Sequence, residues 1–224
     1  NDNRKGSDMD RYTHIFDRDK RARLVTMLSN PTERSNLIQH VITNRPGQLK
    51  TLFELMIPAR ERTYLQDMLH QACYVNESTI IRYLLDKGVN INESSPRLKK
   101  TPLMIASSIG HTETVQLLLE RGAEINAQDH CDSTALMLAA KKGHTETVRF
   151  LLDHGADIHT QDNDGKTALM WAADKGHTNT VQLLLEHGAE INAQANQGTT
   201  ALILAAQKGH TETVRFLLDH DAEI

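Results

Sequence analysis

Twelve histidines and two cysteines are the side chains of this sequence best suited to chemistry. His111, His144, His177 and His210 recur every 33 residues, and His154, His187 and His220 form a second series at the same interval. An imidazole can ligate a metal or carry a proton, but the ligands of one ion must converge, whereas equivalent positions of successive units lie about one unit apart. Both series are therefore expected to be structural, the second because it falls where a partly charged imidazole complements a helix C-terminus. His130 and His159 fall in loops. Cys73 and Cys131 lie in different units, so no disulfide framework is indicated, and Cys131 has only His130 beside it to favour its thiolate. The sequence contains no HExxH, CxxC, GxSxG or phosphate-binding glycine loop. Residues 1–66 offer no nucleophile, base and orienting group by motif. No catalytic, metal or cofactor site is expected.

The interval of 33 belongs to the whole segment and not to the histidines alone. Closely similar stretches begin at Thr101, Thr134, Thr167 and Thr200. A fixed period of this size marks stacked supersecondary units, none of which can bury its apolar face without a neighbour. In the unit starting at Thr134, Leu136, Leu138, Ala139 and Ala140 make the apolar side of a short helix, about 135–142, stopped at Gly143. Thr145 is expected to cap a second helix carrying Val148, Phe150, Leu151 and Leu152 and closing at Gly155. The run Asn163-Asp164-Gly165 then signals a hairpin.

These residues resemble the ankyrin repeat. The family's Thr-Pro-Leu start stands at Thr101 to Leu103 and as Thr-Ala-Leu in the next three units, and its Gly-His pair recurs as Gly110-His111, Gly143-His144, Gly176-His177 and Gly209-His210. Met104, Met137, Met170 and Ile203 replace the histidine the family carries after that start. The resemblance implies an all-α ankyrin-repeat solenoid of helix-turn-helix units joined by β-hairpin loops. Its expected divisions are an N-terminal helical cap over 1–34, a degenerate repeat over 35–66, a divergent repeat over 67–100, repeats over 101–133, 134–166 and 167–199, and an incomplete repeat over 200–224. The first and third close repeats share VQLLLE and the second and fourth VRFLLD, the pattern left by duplication of a two-repeat block. The last helices retain interior-type Leu202, Leu204, Val214, Phe216 and Leu217, so self-association through an uncapped C-terminal face is an expectation.

Composition narrows the function. The net charge is −4, with the 12 basic and eight acidic residues of 1–66 leaving about −8 on the rest, and aromatic residues are 4%, so the basic, aromatic-rich footprint of a nucleic-acid binder is absent. No apolar run approaches the roughly 20 residues that span a bilayer, and no signal-peptide pattern opens the chain, so a cytoplasmic protein without membrane insertion is expected.

The resemblance further implies a non-enzymatic module that binds a protein partner through the hairpin tips and the exposed side of each first helix, which line a concave face. The tips carry Arg97, Leu98 and Lys100; His130, Cys131 and Ser133; Asn163, Asp164 and Lys166; and Asn196, Gln197 and Thr199. The first-helix positions are Ser108 and Ile109, Lys141 and Lys142, Asp174 and Lys175, and Gln207 and Lys208. Lys142, Lys175 and Lys208 repeat in register, a ridge that would steer an acidic or phosphorylated segment. Trp171, the sole tryptophan, occupies a slot held elsewhere by Ile105, Leu138 and Leu204, which favours core packing over a binding hot spot. The alternative is a targeting module of a larger multidomain enzyme, or of a bacterial effector acting in a host cell.

Overall fold

The computed structural model describes residues 62–95 and 99–223. The expected cap, nearly all of the expected repeat over 35–66, and Arg97 and Leu98 lie outside the described residues. The described residues form ten α-helices: α1 (Arg62–Tyr74), α2 (Ser78–Asp86), α3 (Pro102–Ile109), α4 (Thr112–Glu120), α5 (Ala135–Lys142), α6 (Thr145–Asp153), α7 (Ala168–Asp174), α8 (Thr178–Glu186), α9 (Ala201–Gln207) and α10 (Thr211–Asp219). No strand is present among them. The chain divides into two compact units, 1–71 and 72–224, the boundary falling inside α1. In the first unit, Met68 and Leu69 of α1 are buried.

In the second unit, α3, α5, α7 and α9 pack as one row and α4, α6, α8 and α10 as another, each first helix also packing on the second helix of its own repeat. Each first helix starts the same way. Thr101, Thr134, Thr167 and Thr200 have extended backbones, and each hydroxyl accepts the amide of the residue three positions on, satisfying one of the donors a helix start leaves unpaired. The helices are too short to be stable alone. Burial of Leu103, Leu136, Leu169, Val148, Leu151, Val181 and Leu184 between rows holds them. The methionines that replace the usual histidine are core side chains, Met104, Met137 and Met170 being at most 2% exposed.

The second helices do not use the expected cap. Thr145 is the first residue of α6, the N-cap is His144, and no cap side chain there accepts a hydrogen bond. Instead the Thr145 hydroxyl reaches the next repeat, 2.8 Å from that of Thr180. Thr112 and Thr147 are joined in the same way at 2.7 Å, and Thr178 and Thr213 at 2.9 Å. Two threonines two residues apart, on opposite sides of the helix, thus reach in opposite directions along the stack, a contact between repeats that local helix chemistry does not signal.

The framework histidines pack closely against the preceding repeat. A Cβ built on Gly110, Gly143 or Gly176 would lie 2.6, 2.6 or 2.5 Å from Nδ1 of His144, His177 or His210 respectively. All three glycines have φ between +71° and +85°, so the position demands glycine for its backbone and again for the ring seated on it. His210 Nε2 donates to the Asp174 carbonyl at 3.0 Å and His111 Nε2 to that of Tyr74 at 3.2 Å. His144 bonds the main chain of Ser108, and burial holds its pKa below the ordinary imidazole value. The other series behaves as expected: Nδ1 of His154, His187 and His220 each donates at 2.8 Å to the carbonyl four residues earlier, at a helix C-terminus.

The last repeat corrects the expected exposed face. Leu202, Leu204 and Leu217 are buried against the preceding repeat, Val214 and Phe216 are half-buried, and the exposed large apolar side chains are Ile203 and Leu218.

Gly176→Ala and Gly155→Ala separate strain from contact, since Gly155 has φ +87° with open space where its Cβ would lie. Both substitutions should cost the left-handed strain, about 1–2 kcal/mol. Gly176→Ala should lose roughly 1–3 kcal/mol more through overpacking against His210, read by urea unfolding followed by far-UV circular dichroism. Equal losses would contradict the seating of the ring.

Candidate protein-binding face

The tips are tight turns held to one another. Asp162 N–H donates to the Lys166 carbonyl and Gly165 N–H to the Asp162 carbonyl, closing one tip, and Asp129 with Ser133 closes the tip before it. Neighbouring tips are then joined: Asn163 N–H donates to the Cys131 carbonyl and Asn196 N–H to the Asp164 carbonyl, both at 3.0 Å. The side-chain amides of Asn163 and Asn196 repeat the pattern, donating at 3.2 Å to the carbonyls of His130 and Asn163. These two asparagines therefore brace the row of tips, although the sequence placed them among partner-binding residues.

Sequence reasoning passed over the residue that organises the site. Asp162 is 8% exposed; its Oδ1 accepts the backbone amides of Asp164 and Lys166 at 3.0 and 2.9 Å, and its Oδ2 accepts the Trp171 indole N–H at 2.8 Å. The signal was available: an aspartate recurs at 129 and 162 in tips that otherwise vary. Trp171 is consequently not a core filler. Its ring is half-buried at the edge of α7, turned toward the tip by the Asp162 bond. The Lys141 ammonium lies over it at 3.6 Å from the ring centroid and that of Lys166 at 4.4 Å. A cation over an indole gains about 0.5–1 kcal/mol when exposed and more when desolvated.

Asp174 also departs from expectation. It is 6% exposed, because Lys175 folds back over it with Nζ 2.8 Å from Oδ2. Burial raises its pKa, but the Lys175 hydrogen bond and the charges of Lys175, Lys166 and Lys208 outweigh that and hold the carboxyl below its ordinary value. Burial, followed by repulsion from Lys175 and Lys166, lowers the pKa of Lys141. Four lysines, from one first helix, one tip and the residues that follow α7 and α9, thus surround two carboxylates and one indole. Lys142, Lys175 and Lys208 are exposed, as are His130, Cys131, Asp164, Gln197 and Gln207; Lys100, Ser108, Ile109, Ser133 and Thr199 are partly covered.

The sequence model of the ankyrin repeats matches residues 39–129 and 128–195, and a single-repeat model matches 197–224. The chain belongs to the ankyrin-repeat family. Ankyrin repeats are protein-interaction modules, and no described helix is long and apolar enough to cross a membrane. The chain is 40% identical over 76 residues to mouse Rabankyrin-5, covering 29% of this chain and 6% of that protein. It is 39% identical over 62 residues to palmitoyltransferase Hip14 of Drosophila melanogaster, covering 28% and 10%, and 38% identical over 90 residues to a putative ankyrin repeat protein, FPV031, of Fowlpox virus, covering 40% and 23%. The chain thus spans less than a quarter of each of these relatives.

Asp162→Ala strands two backbone amides and the indole N–H, and should cost about 2–4 kcal/mol of stability, with Trp171 emission shifted to the red. Asp129→Ala, which strands two backbone amides only, should cost less. Chemical denaturation with fluorescence checks both; equal costs with unchanged emission would show that the Trp171 bond contributes nothing.

Proposed function

We propose that this ankyrin-repeat protein is a non-enzymatic adaptor that docks an acidic segment of a partner protein on the first-helix and tip face, centred on Trp171. The observation that carries this reading is the convergence of Lys141, Lys166 and Lys175 on the indole and on Asp162 and Asp174. An incoming carboxylate or phosphate gains attraction from several ammonium groups, while the indole supplies a half-buried apolar floor of the kind that anchors interfaces. The groups are held in place before binding, so little conformational freedom is lost on association. The two cysteines, both free thiols, suit a reducing, cytoplasmic setting.

A second reading is that of a docking arm in a larger multidomain enzyme. It rests on the palmitoyltransferases among the relatives, of which this chain matches a tenth or less. A catalytic domain on the same polypeptide, detected by intact mass of the protein from its source, would favour it.

Fluorescence anisotropy tests the adaptor reading with three labelled peptides: one rich in Asp and Glu, a phosphoserine counterpart, and a neutral one. The acidic peptides should bind with an affinity that falls as salt is raised, and the neutral one should not. Lys141→Glu combined with Lys166→Glu should weaken binding about tenfold or more, like the charge reversals seen at steered interfaces. Tighter binding of the phosphoserine peptide would make phosphate the preferred anion, whereas binding untouched by the double reversal would refute the site.

A further inference from the structure

The tip between the repeats at 101–133 and 134–166 carries chemistry that its neighbours lack. Asp129, His130 and Cys131 stand where the next tips have Asp162, Asn163 and Asp164, then Ala195, Asn196 and Gln197. Ligand atoms of the three residues, a carboxylate oxygen, an imidazole nitrogen and a thiol sulfur, all lie within 4.8 Å of one another. Asp129 is 8% exposed, and its Oδ1 accepts the amides of Cys131 and Ser133 at 2.9 and 3.0 Å, which fixes the carboxylate. In the next tip the second oxygen of Asp162 is taken by the Trp171 indole. The corresponding slot here holds Leu138, which has no donor, and among the described residues no donor is bonded to Asp129 Oδ2.

We propose that Asp129, His130 and Cys131 form a binding site for a borderline-soft divalent transition ion such as Zn²⁺, with a fourth position open to water or to a side chain of a bound protein. One oxygen, one nitrogen and one sulfur suit zinc, whereas calcium and magnesium require oxygen ligands throughout. Zinc bond lengths place tetrahedral ligands about 3.4–3.6 Å apart, so closure requires the gaps, none wider than 4.8 Å, to shrink by at most about 1 Å. His130 and Cys131 are both exposed and can rotate to do so while Asp129 stays fixed.

Binding exchanges one proton for the metal: the Cys131 thiol loses its proton to solvent as sulfur bonds the ion, and His130 binds as neutral imidazole. Cys73 does not compete, being fully buried with a thiol pKa pushed far up by desolvation. The ion would also brace the stack, because the carbonyls of His130 and Cys131 accept from the next tip through Asn163.

Cobalt reports on this site directly, since a thiolate bound to Co²⁺ gives a charge-transfer band in the near ultraviolet. The full chain, kept reduced, should develop that band with one equivalent of Co²⁺ and lose it on addition of Zn²⁺. Cys131→Ser should abolish the band, and His130→Ala and Asp129→Asn should each weaken cobalt binding by about tenfold or more. Cys131→Ser and His130→Ala should leave the thermal melt without metal unchanged. Absence of the band, its survival in Cys131→Ser, or unaltered affinity in His130→Ala would overturn the assignment.

Discussion

The seating of an imidazole on the glycine of the preceding repeat is the contact on which the rest of the second unit depends. Each repeat holds two helices of seven to nine residues from Pro102 onward, too short to persist alone, so its order comes from its neighbours. The ring approaches where only a hydrogen atom can stand, and that same glycine turns the chain through a left-handed conformation between the two helices. Where Nε2 also donates to the carbonyl that ends the previous first helix, as in His210, the ring is fixed in depth and in rotation. The contact sets the spacing of the units, and the threonine pairs alongside it share that register.

Fixed register creates the site. Lys141 lies in the last turn of one first helix, Lys166 in the following tip and Trp171 in the following first helix, so their meeting depends on how two repeats stack. Asp162 ties this arrangement to the tip, spending one oxygen on the turn and the other on the indole. The neighbouring tip has the same turn without the indole, and its aspartate retains an acceptor. Two adjacent tips built on one backbone therefore present different surfaces, one cationic and aromatic, the other a set of metal-ligand atoms.

Much of the fold was legible because the signals are local and repeated. The helix at 135–142, the stop at Gly143 and the position of the second helix follow from apolar spacing and from glycine's tolerance of positive φ. Features set by the neighbouring repeat were harder to read. Thr145 has the chemistry of a cap, yet its hydroxyl bonds Thr180; Asp174 looks like a surface residue, yet Lys175 covers it. Trp171 shares a slot with aliphatic residues, and only the geometry shows that this slot borders the tip, where a long aromatic with one donor finds Asp162. Asn163 and Asn196 are polar tip residues, as binding residues would be, but their amides are used within the stack.

The most direct test is the ¹⁵N–¹H correlation spectrum of the full chain, following the single indole N–H while an acidic peptide is added. The account predicts an indole signal slow to exchange with solvent, because Asp162 holds it, and a shift on adding the acidic peptide but not its neutral counterpart. An indole signal that exchanges freely or stays fixed, while side-chain amides of Gln116 and Gln182 on the second helices move, would place recognition on the opposite face and contradict it.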